Sequence, residues 1–285
     1  MKKPVLLAAM QVFICCKIWR RAGVPLRKKR NMKRIMIFGA SSGIGKMLAQ
    51  KYAAEGNMVA VAARREDQLV QLQKEYPSNI LVCKADVTSL AVEEGGDETV
   101  SVKGKFGEML SVLGGVDLVI YSSGMGKQNV AFDMNIEYST INVNVKGFTA
   151  LAAAVVEYGK SAGHHVQFVT VSSIASTRGI GVSASYSASK MYQVRYMESL
   201  RQLSNAMGWN MSFTTILPGF IATDFIKDHS YPMTMQLPYA VRCIKRAIDR
   251  RRTNAVIDWR WSLIVGFWKC IPNWLWYKLP VGKAR

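Results

Sequence analysis

A chain of 285 residues suits one large α/β domain better than two ordinary ones. Its 49% hydrophobic and 20% charged content excludes wholesale disorder, a collagen-like chain and a disulfide framework. The net charge of +19 sits at the ends. Nine Lys or Arg and no acid lie in residues 1–31, and eleven basic residues against Asp249 and Asp258 lie in 240–285. Residues 32–239 hold 18 basic and 17 acidic residues. This near-neutral middle disfavours a nucleic-acid reader, which carries its charge on a folded face. Basic ends rich in apolar and aromatic residues fit an anionic lipid surface, the plain alternative being solvated termini.

In chain order, the first charge-free apolar run is residues 4–16, 13 residues long. A spanning helix needs about 20, so a polytopic membrane protein is excluded and a membrane-surface protein is not. Three readings of residues 1–31 stay open: an uncleaved basic anchor, an export signal, or an extension upstream of a misplaced start. Met32 opens a natural first strand, which favours the last.

Alternating strands and helices follow. Residues 35–38 read as a strand, 39–45 as a glycine-rich turn and 46–55 as a helix. Strand 59–63, helix 67–76 and strand 80–84 come next. Glu93 to Glu98 include Gly95 and Gly96, which read as a surface insertion before a helix near 106–113. Strands 116–121, 166–171 and 211–217 alternate with helices 140–160 and 187–207. Near-continuous apolar strands in such units predict a Rossmann-like, doubly wound parallel sheet covered by helices on both faces, in a single domain over 32–239. Residues 240–285 read as a separate basic, Trp-rich segment.

The five cysteines (Cys15, Cys16, Cys83, Cys243, Cys270) are odd in number and form no CxxC pair. They point to a reducing, cytoplasmic setting. His164, His165 and His229 have no ligand spacing, so no metal site is expected.

Gly39, Ser41, Ser42, Gly43, Ile44 and Gly45 fall between a strand and a helix, where backbone N–H groups and the helix dipole meet a pyrophosphate. The second strand ends Ala62-Ala63-Arg64-Arg65, with guanidiniums where a dinucleotide fold preferring the unphosphorylated cofactor has an acid. This predicts NADP(H), with Arg64 the main 2′-phosphate contact, helped by Arg65 and by Ser41 or Ser42. Tyr186 and Lys190 are four residues apart, on one helix face, where the ammonium is expected to lower the phenol pKa. Ser173 closes a strand thirteen residues before Tyr186, and Asn144 lies in an upstream helical segment.

Gly39-x-x-x-Gly43-x-Gly45, Asp86-Val87, Asn144 in Val-Asn-Val-Lys-Gly, Ser173, Tyr186, Lys190 and Pro218-Gly219 followed by Thr223 keep one family's order over roughly residues 33–225. Together they closely resemble the classical short-chain dehydrogenase/reductase family. The resemblance implies that Tyr186 protonates the carbonyl oxygen and that Lys190 lowers its pKa and holds the nicotinamide ribose. It implies that Ser173 orients the carbonyl and Asn144 holds a relay water. Asp86 and Val87 would flank the adenine, and Pro218, Gly219, Ile221 and Thr223 would line the nicotinamide pocket. It also implies a homodimer or homotetramer packed through the Asn144 and Tyr186 helices. One departure stands out: Tyr121-Ser122-Ser123-Gly124 replaces the family's Asn-Asn-Ala-Gly. Gly124 is kept, while the lost asparagines alter how the sheet is braced.

Five of the seven tryptophans (Trp259, Trp261, Trp268, Trp274, Trp276) lie in 18 residues interleaved with Arg260, Lys269 and Lys278. Such a segment suits peripheral membrane contact at an inner face, the alternative being a fold-back over the substrate pocket or a subunit. Phe220, Phe225, Ile226, Tyr231, Met233 and Met235 suggest an apolar pocket. The expected substrate is therefore a lipid-like ketone, such as a 3-ketosphinganine-type or polyprenyl-linked sugar ketone. Rivals are a soluble general carbonyl reductase and a non-enzymatic nucleotide-sensing protein on the same fold.

Overall fold

Seven parallel strands run in the order β3-β2-β1-β4-β5-β6-β7. They are β1 (Arg34–Phe38), β2 (Met58–Ala63), β3 (Ile80–Lys84), β4 (Leu118–Tyr121), β5 (Val166–Val171), β6 (Met211–Pro218) and β7 (Asn254–Ile257). The computed structural model describes residues 32–89, 100–223, 231–279 and 281. The N-terminal segment 1–31 with Cys15 and Cys16, the insertion at 93–98, and Phe225, Ile226 and His229 lie outside the described residues.

The helices are α1 (Gly43–Ala54), α2 (Glu66–Glu75), α3 (Val102–Leu113), α4 (Met134–Ile141), α5 (Phe148–Ser161), α6 (Ala184–Ala206), α7 (Leu237–Asp249), α8 (Trp259–Cys270) and α9 (Asn273–Trp276). Alternate strand residues face opposite sides. Ile35, Ile37, Val59 and Val61 pack with Leu48, Tyr52, Leu69 and Ile244 of α1, α2 and α7. Met36, Phe38, Ala60 and Ala62 pack with Phe106, Met109, Phe148 and Leu151 of α3 and α5. Both faces are covered, which is why the strands are apolar at nearly every position. Helical residues Met134–Ser161 are long and apolar enough to cross a membrane, yet more than half of that stretch's most apolar window is buried in this fold.

The sheet continues past residue 239. Ala240, Val241, Ile244, Ala247 and Ile248 of α7 are buried, and β7 pairs with β6 from Thr215↔Asn254 to Pro218↔Ile257. Four residues make a faint strand signal, and Arg250 to Arg252 immediately before it draw the eye to charge instead. All the described strands and helices belong to the unit Lys33–Arg285.

Asp258 caps α8, its Oδ1 accepting the Arg260 N–H at 2.8 Å, and its carboxylate also holds the Arg260 guanidinium, with Nη2 to Oδ2 at 3.0 Å. Trp261 and Val265 of α8 are buried in the same core as α1, α2 and α7. The start of the Trp-rich segment is therefore part of the domain's own packing.

Candidate active site

Strand order reverses direction between β1 and β4, the place where open α/β sheets bind ligands at their carboxyl ends. The turn after β1 occupies that place. Gly39 has φ +89° and Gly43 φ +55°, a backbone region that glycine enters without cost. A Cβ on Gly39 would lie 2.5 Å from the Ser123 backbone nitrogen, so β1 and β4 approach there only through glycine. Gly45 faces the Gly39 carbonyl with equally little room, and Ile44 packs against the core. Ser42 caps α1 without a side-chain hydrogen bond, and the first turn of α1 holds no acid. Its N–H groups are thus left for an anion.

Beside this turn, Arg65 donates from Nη2 to Ser41 Oγ at 3.0 Å and to Ser42 Oγ at 2.8 Å. It is Arg65, rather than the expected Arg64, whose guanidinium lies on both hydroxyls; Arg64 is exposed at the end of β2. Asp86 Oδ1 accepts from Thr88 N at 2.9 Å and Thr88 Oγ1 at 2.8 Å, fixing the bend after β3. Val87 follows, buried with its carbonyl against Gly147, where a side chain would not fit. These residues fit a dinucleotide: a helix start whose N-cap side chain makes no hydrogen bond, glycines where backbones touch, and a guanidinium held on the two serine hydroxyls of the turn.

On the other side of the switch, β6 ends at Pro218 and the Gly219 N–H donates to the Ile257 carbonyl at 3.1 Å. Any side chain on Gly219 would enter the Trp261 ring. The chain then folds back, with Ala222 N–H on the Met235 carbonyl and Met235 N–H on the Phe220 carbonyl, both at 2.9 Å. Ile221 is buried in this closure, and Thr223 lies across from Gly43, its Cγ2 3.6 Å from where a Cβ would stand. Phe220 stacks on Tyr231 at 4.4 Å between centroids and meets Trp261 edge-on at 5.5 Å.

Four further residues converge between these walls. Ser173 follows β5 and caps the short helical turn Ile174–Thr177, its Oγ accepting from Ala175 N at 3.1 Å. Its hydroxyl also hydrogen-bonds Tyr186, in the first turn of α6. Lys190, one turn further on, is only 3% exposed. Its Nζ donates to Val171 O at 3.0 Å and Gln193 Oε1 at 3.2 Å, 5.8 Å from the Tyr186 ring centre. Gly124 passes beside Lys190, 3.4 Å from Nζ to the place of a Cβ, and Gly126 lies against the Tyr186 ring.

Asn144 lies in a π-helical turn, Asn142–Gly147, between α4 and α5. Its Oδ1 accepts the Met125 N–H at 2.9 Å, and Nδ2 donates to Met125 O at 2.6 Å and Ser189 Oγ at 3.0 Å. Its own carbonyl accepts from Gln193 Nε2 at 2.9 Å, a bond available because the wider turn redirects the helical ladder. Gln193 therefore joins Lys190 to Asn144. Motif reading missed it, although Lys190 and Gln193 are three apart on one helix face. Tyr121, standing where the family has asparagine, is buried and its hydroxyl donates to the Val143 carbonyl of the π turn.

Burial pushes the Lys190 ammonium down to about 7. Burial raises the Tyr186 hydroxyl above its ordinary value, and the Ser173 hydrogen bond acts in the opposite direction. The ammonium is also committed to Val171 and Gln193 rather than to the phenol oxygen.

A family model described as short chain dehydrogenase matches residues 33–232. The chain belongs to the short-chain dehydrogenase/reductase family. An uncharacterised oxidoreductase of Myxococcus xanthus is 31% identical to this dehydrogenase over 244 residues, 84% of this chain and 92% of that protein. A short-chain dehydrogenase of Burkholderia cenocepacia in complex with NADP superposes with a TM-score of 0.72 at 19% identity, over 87% of this chain and 98% of that one. A 3-ketoacyl-(acyl-carrier-protein) reductase of Brucella melitensis complexed with NADH gives 0.68 at 19% identity, over 79% and 96%. The fold of this short-chain dehydrogenase is thus shared with proteins that hold either form of the cofactor.

Within this dehydrogenase the Trp-rich segment reaches the site wall. Arg178, just beyond Ser173, donates from Nε and Nη2 to Trp268 O at 3.1 and 3.0 Å, from Nη1 to Asn273 Oδ1 at 2.7 Å, and from Nη2 to the Ile271 carbonyl. Trp276 Nε1 returns a bond to Gly179 O at 2.9 Å.

Proposed function

We propose that this short-chain dehydrogenase is an NADP(H)-dependent carbonyl reductase, or alcohol dehydrogenase in reverse, acting on an apolar, lipid-like ketone. The carrying observation is the Arg65 guanidinium on Ser41 and Ser42 at the end of a strand without an acid, beside a complete Asn144, Ser173, Tyr186 and Lys190 set. Arg65 would hold the 2′-phosphate and the α1 N-terminus the pyrophosphate. Bound NADPH supplies the hydride.

The protein's own groups do the rest. Ser173 Oγ and the Tyr186 hydroxyl bind the carbonyl oxygen between them, and Tyr186 passes its proton to that oxygen as the alcohol forms. Lys190, placed by Val171 and Gln193, lies over the Tyr186 ring and would hold the nicotinamide ribose. Asn144 is anchored on Met125 and Ser189, and the lone pair left on its Oδ1 would be the place for a relay water. Phe220, Tyr231, Met233, Met235 and Trp261 make an apolar wall, which supports an apolar substrate. A reducing compartment is part of this reading. The outward Met134, Tyr138 and Ile141 support pairing of two copies through α4 and its neighbour α6.

NADPH oxidation by the purified protein tests this reading, with Tyr186→Phe as the blank. A detergent-solubilised lipid extract and the soluble metabolites of the source cell are offered separately. Turnover with lipid alone is expected. Turnover with soluble metabolites alone favours the general carbonyl reductase. Equal turnover by Tyr186→Phe sinks the assigned role, and nucleotide binding without turnover on either pool favours the sensing protein.

A further inference from the structure

Helix α8 has two dissimilar sides. Trp261 and Val265 are buried, whereas Trp259, Leu263 and Phe267, four residues apart, are 67%, 66% and 68% exposed. That spacing puts the three on one outward face. Beyond the bend, Trp276 is buried while Trp274 and Tyr277 are 65% and 78% exposed. Arg178 holds the carbonyls of Trp268 and Ile271 and the Asn273 side chain between the two helices. The outward aromatic residues are therefore presented on an anchored platform rather than a loose tail.

The charge on this platform has one sign. Lys269, about a third of a turn around α8 from Leu263, and Lys278, just past α9, are exposed beside it, and residues 259–285 contain no Asp or Glu. Two copies meeting through it would oppose lysine to lysine with no carboxylate to answer, and protein interfaces are depleted in lysine. An anionic lipid surface answers both features. Tryptophan and tyrosine settle at headgroup depth, leucine and phenylalanine beneath, and lysines meet the phosphates.

We propose that the outward face of α8 and α9, built from Trp259, Leu263, Phe267, Trp274 and Tyr277 with Lys269 and Lys278, is a docking surface for an anionic lipid bilayer. The proposal goes beyond the reductase reading and stands independently of it. Trp261, on the opposite side of α8, packs on Gly219 and Phe220, so the helix that docks is also the one that backs this wall of the site.

The test floats the full-length chain with vesicles of phosphatidylcholine alone, and of phosphatidylcholine and phosphatidylglycerol in equal parts. The wild type is expected to partition onto the mixed vesicles. Lys269→Glu with Lys278→Glu should weaken that partition by roughly 30-fold or more, and Leu263→Glu with Phe267→Glu should weaken it comparably. All four sites are surface positions, and thermal unfolding with NADPH-binding titration checks that each variant is folded. Wild-type partitioning by both folded double variants overturns the proposal and moves any contact elsewhere in the chain. Equal binding to pure phosphatidylcholine overturns its anionic character. A halved mass by light scattering for Leu263→Glu with Phe267→Glu, with vesicle binding unchanged, overturns it in favour of a second copy.

Discussion

Arg178 lies with its guanidinium carbon 5.3 Å from the centre of the Trp276 ring, nearly a hundred residues along the chain. The contact joins the segment after Ser173 to the last described helix. Arg178→Ala removes charged donors from the Trp268 and Ile271 carbonyls and from Asn273. A loss of about 2 kcal/mol is expected, near the middle of the range for hydrogen bonds to charged groups. The Tm should fall by several degrees, with new proteolytic cuts in α8 and α9 as the local signature. Unchanged Tm and cutting would show that the aromatic packing holds the tail alone.

Arg65→Glu should reverse cofactor choice. It removes the guanidinium on Ser41 and Ser42 and puts a carboxylate where a ribose 2′-hydroxyl can donate. The ratio of kcat/KM for NADPH over NADH should fall by about 100-fold, from loss of a charged phosphate contact. Arg64→Glu should shift the ratio less. A larger effect from Arg64 would return the main contact to that residue.

Lys190 gives the fold a pH signature. Burial holds its folded value at about 7, against about 10.4 for an unfolded lysine. Between those values the unfolded chain carries more protons, so stability rises with pH through the window. Lys190→Met cannot titrate and loses that rise. The wild type should therefore gain about 4 kcal/mol relative to the variant between pH about 7 and about 10. Urea unfolding of both across that range measures it, the slope of the difference rather than its offset being the readout. A flat difference would place a charged lysine in the folded state.

Tyr121→Phe leaves the Val143 carbonyl without its donor inside the core. An unpaired buried acceptor costs about 1–3 kcal/mol, and the carbonyl is one residue from Asn144. A lower Tm is expected together with a several-fold drop in kcat. A lower Tm with unchanged kcat would confine Tyr121 to bracing the sheet.

Local chemistry made much of this site legible. Gly39, Gly43 and Gly45 between a strand and a helix, and Tyr186 one helical turn from Lys190, are short-range patterns with direct physical meaning. The apolar strands could be read because helices cover both sheet faces. What stayed hidden depends on distant partners. Gln193 matters because the Asn144 carbonyl comes to meet it, 49 positions away. Which of Arg64 and Arg65 turns toward the glycine loop depends on the direction in which β2 ends. Trp261 and Trp276 look like Trp259 and Trp274 in composition, and only the fold separates the inward pair from the outward one. The end of β2 and the tail thus carried the right residue types without showing which individuals would act.

The π turn Asn142–Gly147 has a consequence for chain length. The wider turn takes up one residue more than an α-helical turn, worth about 100° of rotation at the ordinary advance per residue. Refolding it as plain α-helix with the count unchanged would swing Phe148, Leu151 and Val155 away from the sheet relative to Met134, Tyr138 and Ile141, whereas removing one residue together with the bulge would keep the two stripes in phase. Such a deletion would instead take away the bulge, and with it the Asn144 carbonyl that meets Gln193. In this stretch arithmetic is itself a structural element, and a deletion that leaves both stripes in place would still dismantle the site.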